Sequence, residues 1–413
     1  MGLLQNINLW GDDIPYLSGL REKSRISFEK NGLPNMKNEA WRFSYIREEN
    51  LQNPIIDVEP VECDGHCHKS KSLPFDAIKI EYCNGKLHTE NQNLPKGIMI
   101  KSLVEAIYDG DVKPYLNKSF AGDDFPFAAL NGVYLEQGAF ILIEKETILS
   151  TPVYIKYYNH ADKNRLCNIR NLVVMEHGAK ATIIEHFCGE EKAVYTQNTV
   201  NEIYVGNNAE LRHYIWQNEA KSAHHIALNS IQIKADGRYF AFCANGGCMF
   251  SRHESYIRLL QEGASAEVNG LYKLTTENQV CDITTNIRHL AAHTYSNQLV
   301  KGVAKVKAKG VFQGQIHIAP NAQQSEGHQL HRALLLHNEA EINCKPELEV
   351  FADDVKCSHG ASSGDLDKEQ IFYMQSRGIS KEDACSILVD AYLNEVFSLN
   401  KDSNISEWIK ADF

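Results

Sequence analysis

The sequence predicts a mainly β protein in which a long β-helix or β-solenoid core lies between helical segments at the two ends of the chain. Between residues 75 and 350, short β-branched and apolar runs such as 182–185 alternate with turn residues. A turn signal of small and polar residues returns about every 30 residues, as at Ala179 and Ala209. Long helical patterns are missing between the strand-like runs, which disfavours a doubly wound α/β fold.

A turn-then-strand unit that repeats at this period is the signature of a solenoid, in which each coil stacks on its neighbour. A β-sandwich with irregular loops is the competing interpretation, since the repeat is degenerate. We place an N-terminal helical region at residues 1–75, the β core at 76–350 and a C-terminal helical domain at 351–413.

The N-terminal region has a helical pattern up to about residue 55. Leu17, Leu20 and Phe28 have roughly helical spacing, and Gly32 and Pro34 interrupt the pattern. The polar residues 59–72 that follow predict a linker or an exposed loop.

One helical insertion into the core is predicted near residues 102–118. Ser102 can cap a helix, and Glu105 stands three residues later, as in a capping box.

The C-terminal domain is predicted to contain two helices. Asp365 or Asp367 caps the first, which Gly378 closes, and Ser380 with Asp383 forms a weaker capping box for the second. The second helix carries one stripe of apolar residues, which suits a core face and a partner-docking face equally well. These residues are Ala384, Ile387, Leu388, Ala391, Tyr392 and Val396.

Charge and composition exclude several classes of protein. The net charge of −11 and the lack of a basic patch argue against nucleic-acid binding. The N-terminus does not resemble a secretory signal, and the apolar runs are too short to span a membrane. The 11 cysteines are scattered over a long chain, which is typical of reduced thiols in the cytosol. We therefore expect a soluble, cytoplasmic protein.

The common catalytic motifs are missing from the sequence. It contains no Gly-x-x-x-x-Gly-Lys-Ser/Thr phosphate loop, no Gly-x-Ser-x-Gly elbow, no His-Glu-x-x-His and no dinucleotide-binding Gly-x-Gly-x-x-Gly. We therefore do not expect the chain to be a P-loop ATPase by itself, or a stand-alone enzyme of these classes.

Several groups of residues have side chains that can bind metal, each with a simpler explanation. Cys63–His68 holds two Cys and two His, but its spacing is not that of a zinc site, and an exposed loop explains it as well. Cys243 and Cys248 flank two glycines, yet small buried core residues are the simpler interpretation. Histidines occur in three further groups without a recognised ligand spacing, and partly buried hydrogen-bonding roles suit them better. These are His224 and His225, His289 and His293, and His328, His331 and His337.

Cys357 and His359 form the candidate site. They are two residues apart, so they share one face if the segment is extended. A thiolate and an imidazole on one face can hold a soft metal such as iron, and Gly360 allows close approach of the backbone. By spacing alone, Cys-x-His is a weak signal.

The same segment resembles a known family. Asp353-Asp354-Val355-Lys356-Cys357-Ser358-His359-Gly360-Ala361, with 364–367, 369–373 and 376–379, is similar to the SufB/SufD family of iron–sulfur cluster assembly proteins. Asn38-Glu39-Ala40-Trp41-Arg42-Phe43-Ser44 resembles the N-terminal signature of the SufD branch.

Two positions distinguish the SufB branch from the SufD branch. SufB-type proteins carry a functional cysteine several residues before the Pro that matches Pro346. Cys344 lies only two residues before Pro346, so that role is not carried onto it. Gly360 also stands where SufB tends to have Glu, so the SufD branch is favoured.

The resemblance implies a right-handed β-helix core and a C-terminal helical domain that docks the ATPase SufC. It implies a non-catalytic scaffold that pairs with SufB and SufC to build and transfer nascent iron–sulfur clusters and to assist iron acquisition, with sulfur from a cysteine desulfurase. His359 matches a family histidine at the SufB–SufD interface, and Cys357 matches a nearby cysteine. Ile387, Leu388, Ala391 and Tyr392 are the candidates for docking SufC.

The expected cofactors and assembly state follow from the same resemblance. We expect no tightly bound cofactor in the isolated chain, a transient cluster in the complex and a homodimer when the chain is alone. A reduced flavin is associated with some complexes of this kind, but no residue indicates its place. Two other functions stay open: a metallochaperone that uses Cys63–His68 and the histidines, and a β-helical enzyme acting on sugars or acyl groups.

Overall fold

The computed structural model describes residues 2–5, 7–46, 51, 54–56, 73–87, 93–120, 125–160 and 164–413. The predicted loop at 59–72, with the Cys63–His68 group, lies outside these residues. Among the residues described, no helix is both long and apolar enough to cross a membrane.

The helices of the described residues lie near the two ends of the chain and beside the first coils. They are α1 (Pro15–Asn31), α2 (Leu103–Asp109), α3 (Pro126–Val133), α4 (Lys368–Ser376), α5 (Lys381–Phe397) and α6 (Ser403–Asp412), with a short 3-10 helix at Glu39–Trp41.

The strands fill the long region between the terminal helices. They are β1 (Ile78–Cys83), β2 (Lys86–Leu87), β3 (Ile98–Ser102), β4 (Ala139–Ile143), β5 (Val153–Asn159), β6 (Arg165–Met175), β7 (Lys180–Gly189), β8 (Tyr195–Val205), β9 (Glu210–Asn218), β10 (His224–Ile233), β11 (Arg238–Asn245), β12 (Phe250–Leu259), β13 (Ser265–Leu274), β14 (Val280–His289), β15 (Tyr295–Ala304), β16 (Lys309–Ile318), β17 (Glu326–Leu335), β18 (Glu341–Val350) and β19 (Lys356–Gly364).

Successive strands alternate between two sheets. One sheet has the order β19-β17-β15-β13-β11-β9-β7-β5-β1-β2, and the other has β18-β16-β14-β12-β10-β8-β6-β4-β3. From β4 onward each strand pairs in parallel with the strand two places along the chain. A sandwich of antiparallel strands does not have this pairing, so the predicted solenoid is confirmed and the sandwich alternative is wrong.

The repeated turn signal corresponds to one corner of the solenoid. Asn208 and Asp236 adopt φ values of 55° and 54°, a left-handed conformation that Asn, Asp and Gly tolerate best. The amide of Asn208 donates to the carbonyl of Ala235 at 2.9 Å, and the amide of Asp236 donates to that of Glu262 at 3.0 Å. Each turn is thus hydrogen-bonded to the turn of the next coil, which explains why turn residues return once per coil.

Stacked identical side chains fill part of the interior. Isoleucines occupy the same register position on five consecutive strands of one sheet and are all buried: Ile203, Ile231, Ile257, Ile287 and Ile316. On the same sheet, the side-chain amide of Asn171 donates to Asn201 at 2.9 Å, and that of Asn201 donates to Asn229 at 2.7 Å. These ladders fix the register between coils, since a slip by one residue would turn every side chain to the other face.

The Asn38–Ser44 segment forms a strap across the outside of four strands. The ring of Trp41 is buried, and the guanidinium of Arg252 lies 4.0 Å from its centroid. The side-chain amide of Gln313 donates to the carbonyl of Ala40 at 3.0 Å, and the ammonium of Lys345 pairs with the carboxylate of Glu39 at 2.7 Å. The segment that carries the second resemblance thus ties the N-terminal region to the last coils of the solenoid.

The predicted helical insertion and its cap are confirmed for α2. The amide of Glu105 donates to the hydroxyl of Ser102 at 3.2 Å, and the amide of Ser102 donates to the carboxylate of Glu105 at 2.9 Å. The helix itself ends at Asp109, and Gly110 follows with a φ of 84°. Turns continue from there to residue 117.

The solenoid continues past the predicted limit of the core at residue 350, because β19 pairs with β17 as a further strand. This strand contains no β-branched residue, so its sequence does not predict a strand, and main-chain pairing with β17 holds it in place. Beyond it, Asp367 accepts from the amide of Glu369 at 2.8 Å and Ser380 from that of Asp383 at 3.0 Å. Gly378, with a φ of 85°, lies between the two helices, as predicted.

Candidate functional site at the open end of the solenoid

The last coil ends the solenoid with two strands that have a strand partner on one side only. Within the described chain, β18 pairs with β16 alone, and β19 pairs with β17 alone. Nearly all residues of β18 and β19 are partly or fully exposed, whereas most residues of β16 are buried. The outer edges of β18 and β19 therefore present free main-chain donors and acceptors, which is the surface that another strand can join.

His359 stands at this edge with its side chain in an interior row. Its Cα pairs in register with that of Gln329, which pairs in turn with Gln298. Both glutamines are buried, and side chains in register on parallel strands point to the same side of the sheet. His359 therefore faces the interior side of the sheet, and it is exposed because no further coil covers it.

Cys357 lies two residues before His359 and faces the same side, as predicted. It is paired in register with Gly327 and packs, half-buried, beside Ile316 and Ile318. Burial raises the pKa of the Cys357 thiol, although a hydrogen bond from the backbone of Gly327 opposes the shift. The thiol is thus mainly protonated at neutral pH, and a metal or a cationic partner would have to bind it as thiolate.

Gly360 fits against the neighbouring strand. A Cβ at this position would lie 3.0 Å from Cδ1 of Leu330. The predicted close approach of the backbone at Gly360 is therefore made to a leucine of the same sheet, which accounts for the glycine without a ligand.

The opposite sheet brings a second thiol to the same end. Cys344 on β18 is in register with Phe312 and Ile283, which are both buried, so it also faces the interior. It is half-buried, and burial raises the pKa of its thiol to about 11. Sequence reasoning did not connect Cys344 with Cys357, because only the solenoid closure brings β18 and β19 to one end.

The described residues do not form a complete metal site. Nowhere in the described ranges do three His, Cys, Asp or Glu side chains come together in a way that could hold a metal ion. Cys357 and His359 can supply soft ligands from one strand, but further ligands would have to come from another molecule.

The pair Cys243 and Cys248, also singled out in the sequence, consists of core residues. Cys243 and Cys248 are buried, and burial raises the pKa of the Cys243 thiol to about 12. The same cause raises the pKa of Cys248 well above its ordinary value. The simpler interpretation of this pair therefore agrees with its position.

The histidine groups are dispersed through the fold. His289 is buried between the hydroxyls of Thr294 and Ser296, each at 2.8 Å, and burial lowers its pKa to about 4. His331 is buried against Tyr272, and burial lowers its pKa to about 4 as well. His328 is hydrogen-bonded to Ser358 at the surface. Hydrogen-bonding roles explain these side chains, and burial favours the neutral form of His289 and His331.

The apolar residues of α5 divide between two faces. Its buried residues are Ala384, Val389, Leu393, Val396 and Phe397. Of the docking candidates, Ile387 and Ala391 are exposed, and Leu388 is half-buried. Tyr392 is half-buried and packs toward the solenoid, where Lys301 lies 4.1 Å from its ring centroid.

The preceding helix α4 carries an apolar surface that the sequence analysis did not single out. None of its residues is buried, and Phe372 and Tyr373 are 73% and 60% exposed. Two large adjacent rings in water are uncommon on a surface without a partner. The signal was present in the sequence, since Phe372 and Tyr373 have no apolar neighbours at helical spacing that would place them in a core.

Comparison with known proteins agrees with this architecture. The family model described as "SUF system FeS cluster assembly, SufBD core domain" matches residues 157–392, and "SufBD protein N-terminal region" matches residues 7–155. An iron–sulfur cluster assembly SufBD family protein of Synechocystis is 30% identical over 379 residues, which are 88% of this chain and 83% of the relative. The iron–sulfur cluster assembly protein SufD of Escherichia coli is 28% identical over 389 residues, which are 92% of this chain and 89% of the relative. The chloroplastic protein ABCI7 of Arabidopsis thaliana is 28% identical over 394 residues, which are 92% of this chain and 82% of the relative.

Proposed function

The chain belongs to the SufBD family of iron–sulfur cluster assembly proteins, and from this premise we propose that it is a scaffold subunit of the SufD type. In this role it pairs with a SufB-type subunit and with the ATPase SufC to build and transfer nascent clusters. The cluster is cargo of the complex, and the chain itself performs no catalytic turnover.

The observation that carries the proposal is the open end of the solenoid. Two strand edges, β18 and β19, are free at the place where Cys357 and His359 face the interior side of the sheet. A homologous solenoid offers edges of the same kind, so two such chains can continue each other's sheets through main-chain hydrogen bonds. A pseudo-twofold heterodimer with SufB, or a homodimer of the chain alone, results.

Pairing of this kind would complete an incomplete ligand set. Cys357 and His359 supply one thiol and one imidazole, ligand types that suit iron and iron–sulfur clusters. A partner that brings a thiolate to the same place would hold a nascent cluster between the two subunits. This arrangement supports transient binding and transfer, because neither subunit alone holds the full ligand set.

ATP is proposed to act through SufC. The sequence has no phosphate loop, and the helices α4 and α5, which follow the last strand, carry Phe372, Tyr373, Ile387 and Ala391 exposed. These residues form the proposed docking surface, together with the half-buried Leu388; Tyr392 belongs to the side that packs on the solenoid. Movement of SufC would be transmitted along these helices to the solenoid.

The remaining features of the proposal concern the setting of the complex. We place it in the cytoplasm, with sulfur delivered by a cysteine desulfurase and with a contribution of this subunit to iron acquisition. The isolated chain is proposed to hold no tight cofactor. Reduced flavin would join only the assembled complex as an electron donor, and we assign it no residue.

The test is co-purification of the tagged chain with untagged SufB and SufC partners, followed by cluster reconstitution. The proposal expects a stable complex that assembles clusters and an isolated chain that does not. The metallochaperone alternative expects stoichiometric iron or zinc in the isolated chain, held through purification and exchange against a chelator. That result, without complex formation, would overturn the scaffold proposal.

A further inference from the structure

The helices after the solenoid are attached to it unequally. At the start of α6, Asp402 accepts hydrogen bonds from Arg212 at 3.0 Å and from Tyr214 at 2.8 Å. Trp408 of α6 packs edge-on against Trp216 at 5.1 Å. In contrast, α4 has no buried residue. The chain after residue 400 therefore has its own attachment to the solenoid. We refer to α4 and α5 together as the α5 arm, which is attached through the buried side of α5, with Val389, Leu393 and Val396.

One buried cation of the solenoid contacts this arm. Lys301 on β15 has a side chain that is only 3% exposed. Its ammonium donates to the carbonyl of Tyr392 at 2.9 Å, lies 4.1 Å from the ring centroid of Tyr392 and pairs with the carboxylate of Glu395. Within the described ranges, the recorded partners of this ammonium all lie on α5.

The surroundings of Lys301 on the solenoid side offer little to replace these partners. Its neighbours in register are Leu271, which is buried, and Arg332, which is itself a cation. Leu271 belongs to the apolar cluster that also contains Val389 and Leu393 of α5. An ammonium in such surroundings is costly unless it is paired and hydrogen-bonded.

We propose that Lys301 is a positioning residue and that, with Glu395, it forms a charge latch which gives the α5 arm two discrete positions. A small displacement of α5 removes the partners of the ammonium without admitting water, whereas full release of α5 hydrates the ammonium. Intermediate positions are therefore disfavoured, and the arm is either closed or released. The latch deepens the proposed function, because it rests on α5 being part of the helices that dock SufC.

The two members of the latch differ in exposure, and this difference makes the inference testable. The side chain of Glu395 is 54% exposed, so it stays hydrated when its partner is lost. Lys301 is buried and has only the carbonyl and ring of Tyr392 left when the Glu395 charge is lost. Removal of the Glu395 charge should therefore release the arm, whereas removal of both charges should let it close again as an apolar contact.

The experiment is amide hydrogen exchange on the isolated full-length chain. For Glu395→Gln, exchange of residues 381–397 should become faster by about tenfold or more, as expected for the loss of a charge-assisted hydrogen bond at a buried lysine. Residues 403–412 should keep their protection. In the double variant with Lys301→Met, exchange of 381–397 should return to the wild-type rate, since Met fills the volume without a charge.

Asp390→Asn is the matched control on the same helix, because Asp390 is 60% exposed and lies 3.9 Å from the partly exposed Lys273. It should leave exchange of 381–397 unchanged. Wild-type exchange in Glu395→Gln, or a double variant as fast as the single one, would overturn the latch. The measurement needs no partner, so a failure of the chain to bind SufC would contradict the docking role of α5 and not the latch.

Discussion

The Cα of His359 lies opposite that of Gln329 in adjacent parallel strands, and this pairing defines the open end of the solenoid. The same row is buried at Gln329 and uncovered at His359. His359 therefore occupies a core position that lacks its next coil. A side chain in such a position contributes little to the stability of its own chain and is available to a second one.

Replacement of His359 by Ala is expected to leave the fold and complex formation nearly unchanged and to lower the yield of reconstituted clusters by about tenfold or more. Loss of a side chain that only supports a metal ligand already costs about that much in affinity or activity. The control is His328→Ala, because His328 is on the adjoining strand but bonds to Ser358 on the other face. Yield is measured by absorbance and iron content of the reconstituted complex. Full yield from His359→Ala would remove this side chain from the assembly site.

The free edge of β19 can be tested with a proline. The amide of Lys356 donates to the solenoid at Ser325, so by the alternation of a parallel strand the amide of Ala361 points to the free edge. Ala361→Pro should therefore keep the thermal stability of the isolated chain but weaken association with SufB, or with a second copy, as measured by analytical ultracentrifugation. Ser362→Pro is the counterpart, since it removes a bond to β17 and should lower the melting temperature. Unchanged association of Ala361→Pro would show that this edge is not the pairing surface.

The exposed rings of α4 give a prediction for the ATPase. The double variant Phe372→Ser and Tyr373→Ser should bind SufC at least about tenfold more weakly, since large aromatic side chains dominate the binding energy of interfaces. Because no residue of α4 is buried, the stability of the chain should not change. Ile148→Ser is the control, as Ile148 is 72% exposed in an isolated β-bridge of the early coils. The affinity is measured by titrating purified SufC in isothermal calorimetry, and equal affinity of both variants would contradict the docking surface.

The sequence predicts the repeating part of this fold well, because turn residues such as Asn208 and Asp236 are required once per coil by local backbone geometry. It also predicts the caps at Ser102 and Ser380, which depend on residues three positions apart. It does not predict that β19 continues the solenoid, since main-chain pairing with β17 determines this.

Contacts between residues far apart in sequence explain the rest. The strap residue Trp41 stacks on Arg252, and Lys301 bonds to α5, in pairs that no local pattern reveals. The shared face of Cys357 and His359 could be predicted from their spacing. That the last coil leaves this face uncovered could be known only from the register of the whole sheet.

Buried neutral histidines predict how stability depends on pH. Burial lowers the pKa of His331 to about 4 in the folded chain, against about 6.5 when unfolded. Between these values the unfolded chain binds the proton and the folded chain does not, so stability falls as the pH is lowered through this window. At pH 5 this one residue lowers the free energy of unfolding by about 2 kcal/mol.

The variant His331→Gln should therefore show a smaller decrease in the free energy of unfolding between pH 7.5 and pH 5, by about that amount, in urea titrations. His337→Gln, at an exposed position, should keep the wild-type decrease. If His331→Gln and the wild type lose the same free energy between the two pH values, His331 is not the neutral buried base that its contacts with Tyr272 and Phe312 indicate.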